Sequence, residues 1–157
     1  MKEPVIIKKA LKDDLPEILA LQKVAFTEVA KQYNVADLPP LKQTLDDIHK
    51  EFMDGIILKA LIDGTTVGSV RANIEDGTCH INKLVVLPDY QNRGIGKQLM
   101  KAIEHEFSGL ARQYELFTGS RDPKNRYLYE KLDYVIFKEE KLNDQITFIY
   151  MRKKATS

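Results

Sequence analysis

The residues whose types and spacing could do chemistry begin with a loop suited to binding an anion. Gln91-Asn92-Arg93-Gly94-Ile95-Gly96 follows a run of β-branched and apolar residues and leads into an amphipathic helical pattern. The first N–H groups of a helix lack intrahelical partners, and the helix dipole adds positive potential at the same end. A glycine has no Cβ, so a phosphate could approach the backbone closely at Gly94 and Gly96. We therefore predict a pyrophosphate-binding loop, made of Gln91, Asn92, Arg93, Gly94, Ile95, Gly96 and Lys97.

Two better-known phosphate-binding motifs do not fit this loop. The dinucleotide fingerprint requires a third glycine, at the position where this chain has Leu99. A P-loop requires a glycine where the chain has Gln91, and a Ser or Thr where it has Gln98. The remaining alternative to a phosphate site is an ordinary strand-to-helix turn that happens to contain two glycines.

A second group of candidate residues lies further along the chain, on a short helical pattern. Asn125 and Tyr129 are four residues apart, so they share one face of a helix. Taken alone, Tyr129 is equally compatible with an aromatic residue that packs in the core. Asp122-Pro123 precedes this helix, and these residue types favour a helix start, with Asp as the N-cap and Pro in the first turn.

Together the two groups resemble the GCN5-related N-acetyltransferase (GNAT) family. The loop matches the family's coenzyme A motif, Gln/Arg-x-x-Gly-x-Gly/Ala, and Asn125 to Tyr134 is similar to its Asn- and Tyr-containing tail. The chain departs from that tail at Asp133, where the family usually has a glycine. Asp tolerates the left-handed conformation that such a helix stop requires, so the departure concerns the turn and not the chemistry.

The resemblance implies direct transfer of an acetyl group from acetyl-CoA to a primary amine. It implies that Asn125 binds the pantetheine arm and that the Tyr129 hydroxyl gives a proton to the departing thiolate. It also implies that the central strand separates from its neighbour and offers backbone groups to pantetheine from Leu84, Val85 and Val86. A backbone N–H near Val86 would then stabilise the developing oxyanion. No metal is implied.

The amine must lose a proton before it can attack, and His80 is the candidate base. The predicted central strand contains no glutamate, and an imidazole titrates near neutral pH. Strand alternation places His80, Asn82 and Leu84 on one side, unless a bulge intervenes. A solvent-facing histidine without a catalytic role is an equally good interpretation. Cys79 points the other way and has no partnering base, so we interpret it as a core residue.

A different class of function remains open, namely a sensor that binds CoA or another nucleotide without turnover. Tyr129 favours the enzyme, because a pure binding module needs no proton donor. The acceptor is open among polyamines, antibiotics, free amino acids, peptide N-termini and lysine side chains. The region between the first strand and the hairpins would border the acceptor, and its candidate contacts are Tyr33, Asp37, Asp46 and Asp47. A solvated helix face is the simpler interpretation of those residues.

The surrounding patterns predict an α/β fold with a mixed, mostly antiparallel seven-stranded sheet and helices on both faces. The predicted element order is β-α-α-β-β-β-α-β-α-β-β. Predicted strands cover 5–8, 56–62, 66–74, 81–87, 114–118, 134–138 and 146–151. Predicted helices start at Asp14 with that residue as the cap, at 41 (ending before Gly55), at 95, and at 124 (ending at 132). Asp63-Gly64 and Asp76-Gly77 predict tight hairpin turns.

Composition bounds the remaining possibilities. The chain has 157 residues and a formal net charge of +1, which predicts one domain over 1–157 and no general nucleic-acid or membrane surface. A single cysteine and an N-terminus without an apolar core favour a reducing, cytoplasmic setting. A homodimer is possible, because dimers are common in the family that the chain resembles.

Overall fold

The structure is a computed structural model that describes residues 4–35 and 38–156. It contains seven strands, and each lies within three residues of its predicted bounds at either end. They are β1 (Ile6–Lys9), β2 (Ile56–Ile62), β3 (Thr65–Glu75), β4 (Thr78–Val86), β5 (Gln113–Gly119), β6 (Val135–Lys141) and β7 (Thr147–Lys154). The helices are α1 (Leu15–Tyr33), α2 (Pro39–Lys42), α3 (Leu45–Asp54), α4 (Ile95–Glu106) and α5 (Pro123–Lys131).

The strands form one mixed sheet in the order β1-β2-β3-β4-β5-β7-β6. Every neighbouring pair is antiparallel except β4 and β5, which run parallel. The two predicted Asp-Gly turns are confirmed, since Asp63 (φ 49°), Gly64 (φ 77°), Asp76 (φ 51°) and Gly77 (φ 81°) all have left-handed backbones. The predicted fold class is therefore confirmed.

The helix starts differ from prediction in two places. Asp14 precedes α1, but its carboxylate accepts from the N–H of Leu11 (2.7 Å) and pairs with Lys59 (2.9 Å) instead of capping the helix. The predicted second helix is divided into α2 and α3, because Thr44 starts α3 with its own capping box. The Thr44 hydroxyl accepts from the N–H of Asp47 (3.2 Å), and the Asp47 carboxylate accepts from the N–H of Thr44 (2.9 Å).

Helices cover the sheet on both faces. One face packs mainly against α4 and contains the largest apolar cluster, which includes Cys79, Ile81, Leu99 and Ile103. On the other face α1 and α3 bury a smaller cluster around Ile18, Ile48 and Ile57. Among the described residues, no helix is both long and apolar enough to cross a membrane.

A bulge in β4 changes which way its residues point. Arg71 pairs with Asn82 and Ser69 with Val85, so Lys83 and Leu84 together oppose the one residue Val70. Lys83 has a φ of 53°, a left-handed backbone that is uncommon outside glycine. The bulge places Leu84 against the cluster beneath α4, whereas simple alternation put it on the side of His80.

A buried arginine holds this bulge in place from the opposite face. Arg71 is 3% exposed and donates hydrogen bonds to Gln22 of α1, to Gln43 (3.3 Å) and to Glu51 of α3. Glu51 also pairs with Lys83, at 3.2 Å from Nζ to Oε1. The network therefore connects α1, α3 and the irregular part of β4.

Candidate functional site

The loop before α4 has the backbone of an anion site. Asn92 (φ 64°) and Gly94 (φ 81°) both adopt the left-handed conformation, and a Cβ built on Gly94 would have no atom within 4 Å. The N–H of Gln98 bonds to the Gly94 carbonyl (3.1 Å), so the N–H groups of Ile95, Gly96 and Lys97 lie at the free start of the helix. Positive potential and open space thus coincide at Gly94.

The side chains of the loop are turned back onto the protein. Gln91 donates to the carbonyl of Val86 (3.0 Å) and accepts from Lys124 of α5 (3.3 Å). Arg93 donates to the Asp89 carbonyl (3.2 Å) and stacks over the ring of Tyr90, 5.1 Å from its centroid. Asn92 and Lys97 are exposed, and the side chain of Ile95 is buried in the core. Ile95 can therefore take part only through its backbone.

Gly96, a member of the predicted phosphate loop, also faces the packing between two helices and the central strand. A Cβ on this residue would point at Cδ2 of Leu128 on α5 (3.4 Å) and Cδ2 of Leu84 on β4 (3.9 Å). Gly96 therefore lies where α4, α5 and β4 pack together, and a side chain larger than a methyl group would press on Leu128. This contact brings the loop, the central strand and the second group of candidate residues together.

The end of β4 has an open backbone edge. Pairing with β5 covers only the first residues of β4 and ends at His80, opposite Glu115. The N–H of Leu87 bonds to Val67 of β3 (2.9 Å), so by alternation the polar groups of Val86 point away from β3, towards the opening.

The three predicted backbone contacts differ in their geometry. Val85 is paired with Ser69 and its backbone faces β3, so it is not available to a ligand in the opening. Leu84 points the same way as Val86. The opening between β4 and β5 therefore presents Leu84 and Val86, two of the three residues that were predicted.

The N-cap of helix α5 positions Asn125, the first residue of the second group of candidate residues. The carboxylate of Asp122 accepts from the N–H of Asn125 (3.1 Å) and from its Nδ2 (2.9 Å), which confirms the predicted cap. Neither bond uses the side-chain oxygen of Asn125, which can accept from an amide N–H of a ligand. The helix stops with Asp133 at a φ of 74°, as the left-handed turn requires.

Tyr129 is buried on the inner face of α5 and is 5% exposed. Burial raises its pKa above the ordinary value for tyrosine, and the negative charge of Asp122 adds to the effect. The hydroxyl is therefore protonated throughout the neutral range, as a proton donor must be. Its ring lies 6.1 Å from that of Tyr134, which belongs to the same apolar cluster.

His80 lies at the vertex of the opening, where β4 and β5 part. Its Nδ1 is 3.8 Å from Oε2 of Glu115, and its side chain is 42% exposed. Glu115 is a residue that the sequence reasoning missed. No sequence pattern links His80 to Glu115, because the two residues lie on strands that are separated in the chain by helix α4. Only the parallel pairing of β4 and β5 brings them together.

Three of the four predicted acceptor contacts lie within the described residues. Tyr33 is buried with its ring near Arg121, and burial raises the pKa of its hydroxyl. Asp47 completes the capping box of α3, and the Thr44 N–H and hydroxyl lower the pKa of its carboxyl. Asp46 is exposed in the first turn of the same helix, and Asp37 lies outside the described residues.

Cys79 is a core residue, as predicted. It is fully buried in the cluster beneath α4. Burial, and to a smaller extent the charge of Glu104, raises the pKa of its thiol to about 12. A thiol held in that state is a poor nucleophile at neutral pH.

Solved structures share this fold. The ribosomal-protein-S18-alanine N-acetyltransferase of Escherichia coli has a TM-score of 0.80 at 14% identity, covering 98% of this chain and 96% of that one. The PaiA N-acetyltransferase of Thermoplasma acidophilum, solved in complex with coenzyme A, has a TM-score of 0.76 at 17% identity, with 96% and 99% covered. A putative acetyltransferase of Salmonella typhimurium, solved with its cofactor acetyl-CoA, has a TM-score of 0.76 at 14% identity, with 98% and 95% covered.

The family model for the acetyltransferase (GNAT) domain matches residues 29–155. That range includes the sheet from β2 onwards, the loop before α4 and the whole of α5. The chain therefore belongs to the GNAT acetyltransferase family.

Proposed function

We propose that this protein transfers an acetyl group from acetyl-CoA to a primary amine by direct attack of the amine on the thioester. The observation that carries the proposal is the opening between β4 and β5 beyond His80 and Glu115. It leaves the backbone N–H of Val86 free to bond a ligand at the point where the loop before α4 and helix α5 meet, while the Val86 carbonyl accepts from Gln91. An extended amide-containing arm can bind such an edge as an added strand does.

The chain offers distinct groups to the two ends of the cosubstrate. The backbone of Gly94 to Lys97, with the charges of Arg93 and Lys97, suits a pyrophosphate. The backbone of Leu84 and Val86 and the side-chain oxygen of Asn125 suit the amides of pantetheine. The relatives solved with coenzyme A and acetyl-CoA support this choice of cosubstrate.

The chemical step requires three proton movements, two away from the amine nitrogen and one to the sulfur. His80 accepts a proton from the ammonium group, and the neutral amine forms its bond to the acetyl carbon as the bond from carbon to sulfur breaks. A backbone N–H at Val86 stabilises the negative charge that develops on the carbonyl oxygen. Tyr129 gives its proton to the departing thiolate, and the attacking nitrogen gives up its second proton to solvent, from which Tyr129 is protonated again.

The first test is a screen for activity. Purified protein is given acetyl-CoA and a panel of amines that represents each acceptor class, and release of the CoA thiol is followed. We expect release above the rate of spontaneous hydrolysis with at least one class, and an acetylated amine confirmed by mass. Release with no class of amine, despite CoA binding, would favour the alternative of a binding module.

A second test separates CoA recognition from general nucleotide binding. Coenzyme A should bind in the micromolar range, a free energy of about −7 to −8 kcal/mol. Desulfo-CoA should compete well and ADP poorly, because the pantetheine arm makes the strand-like contacts. Equal binding of ADP and CoA in calorimetry would contradict the proposed use of the β4 edge.

A further inference from the structure

Four aromatic side chains form a continuous surface on one face of β5, β7 and β6. Phe117 lies 5.0 Å from Phe148 and 5.5 Å from Tyr150, measured between ring centroids, and Phe137 lies 6.3 Å from Tyr150. We call Phe117, Phe137, Phe148 and Tyr150 the aromatic platform. These separations are typical of favourable ring contacts, so the platform is an ordered surface.

The platform is open to solvent at Phe117 and Phe137, whereas Phe148 and Tyr150 are half-buried and Phe148 packs against the cluster around Ala30 and Ile146. Phe117 is 48% exposed and Phe137 is 36% exposed, and every residue of β6 is exposed. Val135, which pairs with Arg152 beside the platform, is 62% exposed. Contiguous exposed apolar surface of this kind marks a binding site more often than chance placement.

The platform begins at the proposed reaction centre. Glu115 and Phe117 are two residues apart on β5, so they share one face of the sheet, the face on which Glu115 approaches His80. Two residues of strand span about 7 Å. Phe117 also lies beyond the last pair between β4 and β5, at the side of the opening. An amine at His80 would therefore have Phe117 within reach of whatever group is attached to it.

The charges around the platform disfavour a second cation on the acceptor. The Arg152 guanidinium lies over the ring of Phe137 (4.8 Å), and Nζ of Lys138 lies over the ring of Tyr150 (4.7 Å) while also pairing with Glu140 (3.2 Å). These cations cover the ring faces of Phe137 and Tyr150, so Phe117, which has no cation over its ring among the described residues, is the member left open to a ligand. A polyamine laid across the platform would be repelled by both cations, whereas an apolar side chain with a carbonyl group would not.

We propose that the acceptor is an amino-acid or peptide amine whose neighbouring side chain is aromatic or bulky and apolar, and that the aromatic platform binds this side chain. The inference rests on the proposed acetyl transfer and names the class of substrate for it. The platform supplies the apolar contact, and Phe117, the member nearest the opening, determines specificity.

The test compares two acceptors that differ only by a ring, phenylalaninamide and alaninamide. We expect kcat/KM to be roughly tenfold higher for phenylalaninamide, the low end of what an added apolar group gives, because the platform is open on one side. Phe117→Ala should bring the ratio close to one. Leu110→Ala is the matched control, because Leu110 is also an exposed apolar residue (66%) but lies outside the platform, and it should keep the wild-type ratio. Putrescine should be a poorer acceptor than either amide.

A binding measurement keeps the platform testable if no turnover is found. Phenylalaninamide added to the protein should shift the NMR signals of backbone amides in β5 and β7, and alaninamide at equal concentration should shift them less. Equal kcat/KM values in the wild type, or equal shifts, would overturn the proposal. A wild-type dimer in sedimentation that Phe117→Ala dissociates would also overturn it, because the platform would then be an interface between two copies.

Discussion

His80 and Glu115 are the last residues paired between β4 and β5, and Nδ1 of His80 lies 3.8 Å from Oε2 of Glu115. Beyond this pair the two strands part, and the backbone N–H of Val86 becomes accessible. The pair therefore marks the inner end of the opening. At this distance the two groups form an ion pair once His80 has accepted a proton, but they are too far apart for a hydrogen bond.

His80→Asn tests the proposed base. We expect kcat to fall about a hundredfold and the acid limb of the pH–rate profile to change, because asparagine cannot accept the amine's proton. His105→Asn is the matched control on an exposed position of α4 and should leave both unchanged. The pH dependence of kcat/KM for the wild type and both variants checks this. An unaltered acid limb in His80→Asn would remove this residue from the mechanism.

Gly94→Val tests the anion site against simple backbone strain. Gly94 and Gly109 both have a φ of 81°, and a Cβ on either would have no atom within 4 Å. The same substitution should therefore cost a similar amount of stability at the two positions. Only Gly94→Val should weaken CoA binding, because its side chain enters the space beside the start of α4. We expect the dissociation constant for CoA to rise tenfold or more, which corresponds to a binding free energy weaker by about 1.4 kcal/mol or more.

Calorimetry with CoA and thermal unfolding of both glycine variants provide the comparison. A similar loss of CoA affinity in Gly109→Val would show that strain, and not the loop itself, is responsible. Unchanged affinity in Gly94→Val would contradict the assignment of the loop.

Gly96→Val tests the packing role that the structure reveals. Its branched side chain would press on Leu128, so we expect a loss of about 1–3 kcal/mol in unfolding free energy, as for other overpacked sites. Adding Leu128→Ala should restore part of that loss, because the truncated side chain makes room. Urea denaturation of the two single variants and the double variant measures the coupling. Strict additivity would show that the two residues do not press on each other.

Glu51→Gln tests the network around Arg71 through pH. Burial alone would raise the pKa of Glu51, but the charges of Arg71 and Lys83 and their hydrogen bonds outweigh it, so the pKa is lowered. Because the pKa of Glu51 is lower in the folded than in the unfolded protein, the ion pair stabilises the fold fully at any pH above the unfolded-state pKa of about 4.3. This stabilisation is lost as the pH falls through the lower, folded-state pKa. We expect the variant to be less stable by about 2 kcal/mol at pH 7.

The difference between wild type and Glu51→Gln should shrink as the pH falls from about 5 towards 3. Urea denaturation across that range measures it. Glu28→Gln is the control, because Glu28 pairs with Lys31 on the exposed side of α1 and should change stability little at any pH. A difference that stays constant down to pH 3 would show that the Glu51 charge does not hold the bulge.

Local patterns were sufficient for most of the fold. The Asp-Gly turns and the cap at Asp122 each depend on residues close in sequence, and the structure agrees with them. Asp14 fits the same local pattern for a cap, but its carboxylate is drawn to Leu11 and to Lys59 of another strand. Such competition between a local and a distant partner is invisible in one sequence.

The features that shape the site depend on distant contacts. No glycine in the sequence indicates the bulge at Lys83, which is held by Glu51 and Arg71 from other elements. Gly96 fits a phosphate loop by position, and only the arrangement of α5 shows that it contacts Leu128. The order of elements could therefore be predicted, but not the direction in which several site residues point.

The central claim is that Tyr129 protonates the thiolate during acetyl transfer, and Tyr129→Phe tests it most directly. The change keeps the ring and removes the hydroxyl, so CoA affinity and KM for acetyl-CoA should stay constant while kcat falls about a hundredfold, the low end for a positioned general acid. Tyr127→Phe makes the same change on the same helix, at a residue that is 60% exposed, and should leave kcat unaltered. The measurement is kcat for the two variants and the wild type with one competent amine. Wild-type turnover in Tyr129→Phe with intact CoA binding would contradict the account.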